Sequence, residues 1–259
     1  MIIAQISDLH VGAGDVLAYG RFDAAGNLER CLRQLRQLDP APDLLFATGD
    51  LVNDGGAAEY ARLRELLAPL PMPVYLIPGN HDERSALRAA FPDHAYLAAG
   101  SGPIHYAVED QRVRVLALDT SVPGMTGGML DEEQLAWLDR QLEAAPRQPT
   151  LIFLHHPPFR TGIPRMDEIG LEAASAGALG AIVSRHRQVE RIGCGHVHRD
   201  IRARWRGATV SVCPSTAFQY GLEFAAPGLK PSDEPPAFQL HYWNGAELVT
   251  HTIAVTGER

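Results

Sequence analysis

Short apolar runs that stop at a polar, chemistry-bearing turn recur along this chain, and that repetition limits its fold more than any other feature. Residues 2–6 run into Ser7-Asp8-Leu9-His10, residues 43–47 into Thr48-Gly49-Asp50, and residues 74–77 into Pro78-Gly79-Asn80-His81-Asp82. Further on, residues 151–154 end at His155-His156-Pro157-Pro158, and residues 189–192 lead into Gly193-Cys194-Gly195-His196-Val197-His198. Such brief aliphatic runs read as buried strands. Helical periodicity fills the gaps between the first three. Residues 22–38 carry Leu28, Leu32 and Leu35 at i, i+4 and i+7, and residues 57–67 gather Leu63, Leu66 and Leu67 with Leu70 on one side. Strand, ligand-rich turn and helix in succession predict a layered α/β fold with functional residues at the carboxyl ends of the strands.

The rest of the chain extends this pattern less regularly. Residues 104–108 and 113–118 read as paired strands around Glu109-Asp110-Gln111. Residues 131–141 predict a helix with Asp131 as N-cap, Gln134 at the capping-box position and Leu135, Leu138 and Leu142 inward. Residues 173–184 are small and helical in pattern, and 201–205, 209–213, 238–243 and 248–253 read as strands of a late antiparallel block. Residues 214–236 are rich in Pro, Gly and Ser without a period, which fits either a surface loop over the site or a dimer-forming excursion. No boundary interrupts the pattern, so residues 1–259 are expected to form one domain.

Charge and cysteine usage narrow the partners. A formal net charge of -8 argues against broad phosphate neutralisation on long nucleic acid, while leaving small anionic substrates open. Cys31, Cys194 and Cys213 are scattered and odd in number, as expected of reduced thiols. The N-terminus lacks a basic leader and no apolar run reaches membrane-spanning length, so a cytoplasmic protein is expected.

Together the strand exits present Asp8, His10, Asp50, Asn80, His155, His196 and His198, a set of oxygen and imidazole donors. That is more than one ion needs. The mixture suits two borderline divalent transition metals, iron, manganese, zinc or cobalt, and Asp50, central in the series, is the natural bridge.

Asp8-x-His10, Gly49-Asp50-x-x-Asn53, Gly79-Asn80-His81-Asp82, His155 and Gly195-His196-x-His198 resemble the signature of the calcineurin-like metallophosphoesterases over residues 3–215. The resemblance implies a four-layer α-β-β-α sandwich flanked by helices, in place of a simple parallel sheet. It also implies a division of ligands: Asp8, His10, Asp50 and His198 for one metal, and Asp50, Asn80, His155 and His196 for the other. His155 takes the ligand role from the His155-His156 pair because family members place it two residues before the first proline. His156 then faces the pocket or packs behind the metal.

The implied chemistry is in-line attack on phosphorus by a water that the metals activate. His81 is the best-placed group to protonate the leaving oxygen, with Asp82 expected to orient it through the other ring nitrogen. Asn53 either holds its loop or touches substrate, and Phe218 either stacks on a base or closes an apolar pocket. Serine/threonine phosphatases of the superfamily place an arginine where this chain has Asp54, and losing that charge favours a monoanionic diester over a dianionic monoester. The chain therefore looks most like the bacterial branch of class III cyclic nucleotide phosphodiesterases and glycerophosphodiesterases, with a 3′,5′-cyclic nucleotide as leading substrate. Alternatives are a glycerophosphodiesterase, a monoesterase or nuclease, and an inactive protein-binding scaffold. A homo-oligomer is compatible with residues 214–236.

Overall fold

The computed structural model describes residues 1–98, 100–109, 111–225 and 228–256. In chain order it contains β1 (Ile2–Ile6), α1 (Ala24–Arg36), β2 (Leu44–Thr48), α2 (Ala57–Leu67), β3 (Val74–Ile77), α3 (Arg84–Ala90), β4 (Tyr106–Val108) and β5 (Arg114–Leu118). There follow α4 (Glu132–Ala144), β6 (Thr150–Leu154), α5 (Pro164–Glu168), α6 (Ala173–Arg185), β7 (Val189–Cys194), β8 (Ile201–Trp205) and β9 (Ala208–Val212). The chain closes with β10 (Gln219–Tyr220), β11 (Pro231–Ser232), β12 (Ala237–Trp243) and β13 (Leu248–Ala254). Asp110 of the expected turn, and residues 226–227 of the expected excursion, lie outside the described residues.

Two mixed sheets carry the fold, in the orders β13-β12-β1-β2-β3 and β4-β5-β6-β7-β9-β8. The pairings β1–β2, β2–β3, β5–β6, β6–β7 and β7–β9 are parallel. The alternation of side chains shows how the sheets stack. Val115, Ala117, Leu151 and Phe153 point into the cluster shared with the first sheet and α1 to α3, while Leu116, Leu118, Ile152 and Leu154 pack under α4, α5 and α6. Phe46 and Phe153 meet across the layers with ring centroids 4.7 Å apart. This is the helix-flanked sandwich expected from the resemblance.

The late strands do not form one antiparallel block. β9 continues the second sheet in parallel beside β7 and pairs antiparallel with β8, whereas β12 pairs antiparallel with β1 in the first sheet. The connection between β9 and β12 crosses from one sheet to the other at the end where the ligand turns lie. Ser215 and Thr216, early in it, are buried and bonded to the first ligand turn: Ser215 Oγ donates to the Asp8 carbonyl at 2.7 Å and Thr216 N to the Ser7 carbonyl at 3.1 Å. A polar cross-tie lies beneath. Gln5 Nε2 donates to Thr48 Oγ1 and to the Cys194 carbonyl, both at 2.9 Å, and its Oε1 accepts from His241 Nε2 at 3.0 Å. Buried polar groups in such a place must be bonded, and these are. The three cysteines are free and buried, and among the described residues no helix is long and apolar enough to cross a membrane.

Candidate metal centre

Every proposed ligand sits just past a strand, and the turns that present them are conformationally costly. Asp8, His10, Asp50, His196 and His198 have φ of 53°, 44°, 48°, 71° and 53°. Non-glycine residues pay about 1–3 kcal/mol each for such conformations, so the surrounding bonds must impose them. They do: Asp8 N donates to the Gly49 carbonyl and His10 N to the Asp50 carbonyl, both at 3.0 Å, coupling the first two turns. His196 N donates to both Asp8 carboxylate oxygens at 3.0 Å, tying in the turn from the second sheet. Gly49, at φ 94°, leaves room for His155, whose Nδ1 would lie 2.3 Å from an added Cβ. At Gly79 a Cβ would lie 2.3 Å from Asp50 N and Oδ1 and 2.8 Å from His155 Nε2.

The donors converge as two clusters. Asp8, His10, Asp50 and His198 offer donor atoms all within 4.8 Å of one another, and a second group joins His155, His156 and His196. Asp50 spans them. Its Oδ2 is 3.8 Å from His10 Nε2 and its Oδ1 is 3.4 Å from His155 Nε2. His10 Nε2 and His198 Nε2 face each other at 3.1 Å, and His198 Nε2 lies 3.4 Å from Asp8 Oδ1.

Hydrogen bonds at the far ring nitrogens fix which atoms are left to bind. His155 Nδ1 donates to the Thr48 carbonyl at 2.8 Å and His198 Nδ1 to the Phe218 carbonyl at 2.9 Å, which aims each Nε2 lone pair inward. Asn80 Oδ1 and His196 Nε2 are buried without a hydrogen-bond partner, and His155 Nε2 has only the Asp50 carboxylate 3.4 Å away. Unpaired buried acceptors are expensive, and two of them in this place fit a bound cation. His156 differs. Its Nδ1 accepts from Thr120 Oγ1 at 2.8 Å and its Nε2 donates to the Thr126 carbonyl at 3.2 Å. With both nitrogens committed and its ring 4.5 Å from that of His196, it packs behind the ligands.

Electrostatics agree with this division. Burial pushes the Asp50 carboxyl up, but the His155 charge and hydrogen bond, with His81 and His10, outweigh it and hold the group well below the usual carboxylate range. Burial lowers His155, and Asp50 more than reverses that, raising it to about 9; a cation taken at this Nε2 displaces a proton. Burial brings His10 and His196 down to about 3, so both are neutral donors.

Asp82 does not have the contacts expected of it. Its carboxylate accepts from Gly79 N at 2.8 Å, Leu51 N at 3.0 Å and the Tyr60 hydroxyl at 2.9 Å, fastening the second and third ligand turns together. Burial and the neighbouring Asp50 raise it to about 7. The His81 ring is oriented instead by Asn53, whose carbonyl accepts from Nδ1 at 2.7 Å, while His81 N donates to Asp50 Oδ1 at 2.9 Å. Asn53 thus acts through its main chain, and its amide donates to Asp54 Oδ2 at 3.0 Å.

Phe218 is likewise not open for a nucleobase. Its ring is only 2% exposed, stacks on Phe22 at 4.5 Å and packs against His198 at 4.5 Å. The aromatic that faces solvent at this edge is Tyr19, at φ 51° and 57% exposed, with its ring 6.0 Å from that of His10. A Tyr-Gly step closing a glycine-containing loop was the only sequence signal for it.

A two-sheet sandwich whose turns from both sheets meet in buried clusters of carboxylate and imidazole donors is consistent with a dinuclear metal site. The chain belongs to the calcineurin-like phosphoesterase family, whose profile matches residues 1–200. It is 36% identical over 260 residues to a glycerophosphodiester phosphodiesterase of Enterobacter lignolyticus, covering 98% of this chain and 92% of that one. To the 3′,5′-cyclic adenosine monophosphate phosphodiesterase of Escherichia coli K12 it is 33% identical, covering 98% and 90%. A dimetal phosphatase from Danio rerio shares the fold with a TM-score of 0.74 at 17% identity, covering 99% of this chain and 96% of that chain.

Proposed function

We propose that this chain hydrolyses small phosphodiesters at a dinuclear centre, with open-chain glycerol-type diesters as the best-supported substrates. The observation that carries the reading is Asp50, whose two oxygens divide between the two donor clusters. Asp8, His10, Asp50 and His198 would hold one ion and Asp50, Asn80, His155 and His196 the other. When bound, two divalent cations supply the positive charge that activates a water and offsets charge at phosphorus. The absence of thiolate among these donors supports iron, manganese, zinc or cobalt.

The protein's own part is proton handling and alignment. The Asn53 carbonyl keeps a proton on His81 Nδ1, so Nε2 is the atom that faces substrate, and it can donate to a leaving oxygen only as imidazolium. Asp54 stands where a phosphate-gripping arginine would favour a monoester, which supports a diester. The similarity to the Enterobacter enzyme supports a glycerophosphodiester. A cyclic nucleotide is the second reading, favoured by the similarity to the Escherichia enzyme and by the exposed Tyr19 ring beside His10. Residues from both sheets complete one site, which supports reading residues 1–259 as one domain, and the free buried thiols support a reducing compartment.

Rates on a glycerophosphodiester, a cyclic nucleotide, a monoester and single-stranded DNA, with protein reconstituted separately with each of the four metals, test the proposal. Diester turnover that chelation abolishes and Asp50→Asn lacks is the expected result. Turnover that survives complete metal removal overturns it.

A further inference from the structure

A cleft of about 440 Å³ begins at Asn80 and is lined by Asp82, Arg84, Arg88, Ser121 and Gly124 among others. It is large enough for one substituent of a small ester. Its charges are unequally satisfied. Arg84 Nε pairs with Asp119 Oδ2 at 2.6 Å and its Nη2 donates to the Ser121 carbonyl, so that cation is neutralised. Glu83, on the same rim, turns its carboxylate onto the start of α3, accepting from Ala86 N at 2.7 Å and Ser85 N at 3.1 Å. Asp82 is spent on the turns beneath.

Arg88 is different. Its Nε donates to the Leu97 carbonyl at 2.8 Å and its Nη2 to the Gly102 carbonyl at 2.7 Å, both uncharged acceptors. Among the described residues no carboxylate pairs with it, and its remaining nitrogen has no protein acceptor. Two carbonyls therefore hold a half-buried guanidinium in place while its charge stays unmatched, in a cleft that starts at a proposed metal ligand. A planar cation fixed this way loses little freedom when it takes an anion.

We infer that this cleft receives the alcohol arm of the diester that is not expelled, and that Arg88 selects arms bearing negative charge over arms bearing positive charge. The inference rests on the phosphodiesterase reading and deepens it toward open-chain substrates. Arg88 is then a specificity-determining residue that touches substrate away from phosphorus.

Three p-nitrophenyl phosphodiesters with a common leaving group test it, their second arms being ethyl, 2-carboxyethyl and 2-(trimethylammonio)ethyl. The expected order of kcat/KM is carboxyethyl, ethyl, trimethylammonioethyl, with on the order of tenfold between the extremes. In Arg88→Gln the ratio of the charged arms, each referred to the ethyl ester on the same protein, collapses toward one. Arg88→Lys keeps its direction, and raised salt flattens it in the unmodified protein. No turnover of the ethyl ester sinks the phosphodiesterase reading itself. Normal ethyl turnover without an arm preference, or a preference that persists undiminished in a folded Arg88→Gln, overturns the inference alone.

Discussion

Gly79→Ala isolates the close approach on which the second donor cluster depends. Gly79 is not in the left-handed region, so alanine meets no backbone penalty there; the cost is contact. Its Cβ would lie 2.3 Å from Asp50 Oδ1, against about 3.4 Å for an ordinary contact, so the carboxylate must retreat by about 1 Å or the turn must open. The same methyl would lie 2.8 Å from His155 Nε2, the atom Asp50 Oδ1 faces at 3.4 Å. Crowding of this kind costs about 1–3 kcal/mol of stability, and a 1 Å misplacement about 10²-fold in rate. Metal content by mass spectrometry, diester hydrolysis against added metal, and urea unfolding measure the three consequences. We expect one of two ions to bind at least tenfold more weakly and turnover to fall by about 10²-fold. Gly207→Ala is the control: φ is 93° with open space around the Cβ, so it costs about 1–2 kcal/mol and leaves metal content unchanged. If Gly79→Ala binds two ions with unaltered affinity and full activity, the packing argument for this turn is wrong.

The two adjacent histidines should part company under mutation. His155→Ala loses the second ion, whereas His156→Phe retains both and is destabilised by about 1–3 kcal/mol through the unpaired Thr120 hydroxyl and Thr126 carbonyl; equal metal loss in the two would contradict the assignment. Asn53→Ala keeps the carbonyl that orients His81 and should lower kcat far less than His81→Ala, for which a loss of about 10²-fold or more is expected; comparable losses would mean the amide itself touches substrate. In His241, burial and the charge of Arg191 lower the imidazole from 6.5 to about 3. Because the folded state refuses the proton, stability is full above pH 6.5 and is lost as the pH falls toward 3. Relative to His241→Gln, the metal-free protein should therefore lose about 2 kcal/mol between pH 7 and pH 5 in urea unfolding, and an unchanged difference would refute that role.

Much of this site was legible because side-chain identity and strand position carried it. Asp8, Asp50, Asn80 and His155 lie where apolar runs end, and the structure sets Asp50 between the Asp8 cluster and His155. The parts that escaped have no residue signature. His155, His198 and His81 are all aimed by main-chain carbonyls, of Thr48, Phe218 and Asn53, and any residue supplies a carbonyl. Asp82 looked like an orienting carboxylate because it follows His81, yet adjacent side chains on a tight turn diverge, and it bonds inward instead. The division of the late strands between two sheets was equally hidden, since alternation reports a strand's faces and says nothing of its neighbours. Phe218 could not be read as closed until Phe22, far away in the chain, was seen on its face.

The first donor cluster draws on both halves of the sandwich: His198 follows β7 and joins Asp8, His10 and Asp50, which follow β1 and β2. A nascent chain that has emerged only as far as its first three strands therefore owns carboxylates and an imidazole but no completed site. The first sheet itself is finished by β12, paired to β1 from near the opposite end of the chain. The full donor set therefore exists only once the chain has reached His198, and the sheet that carries half of it only once β12 has paired.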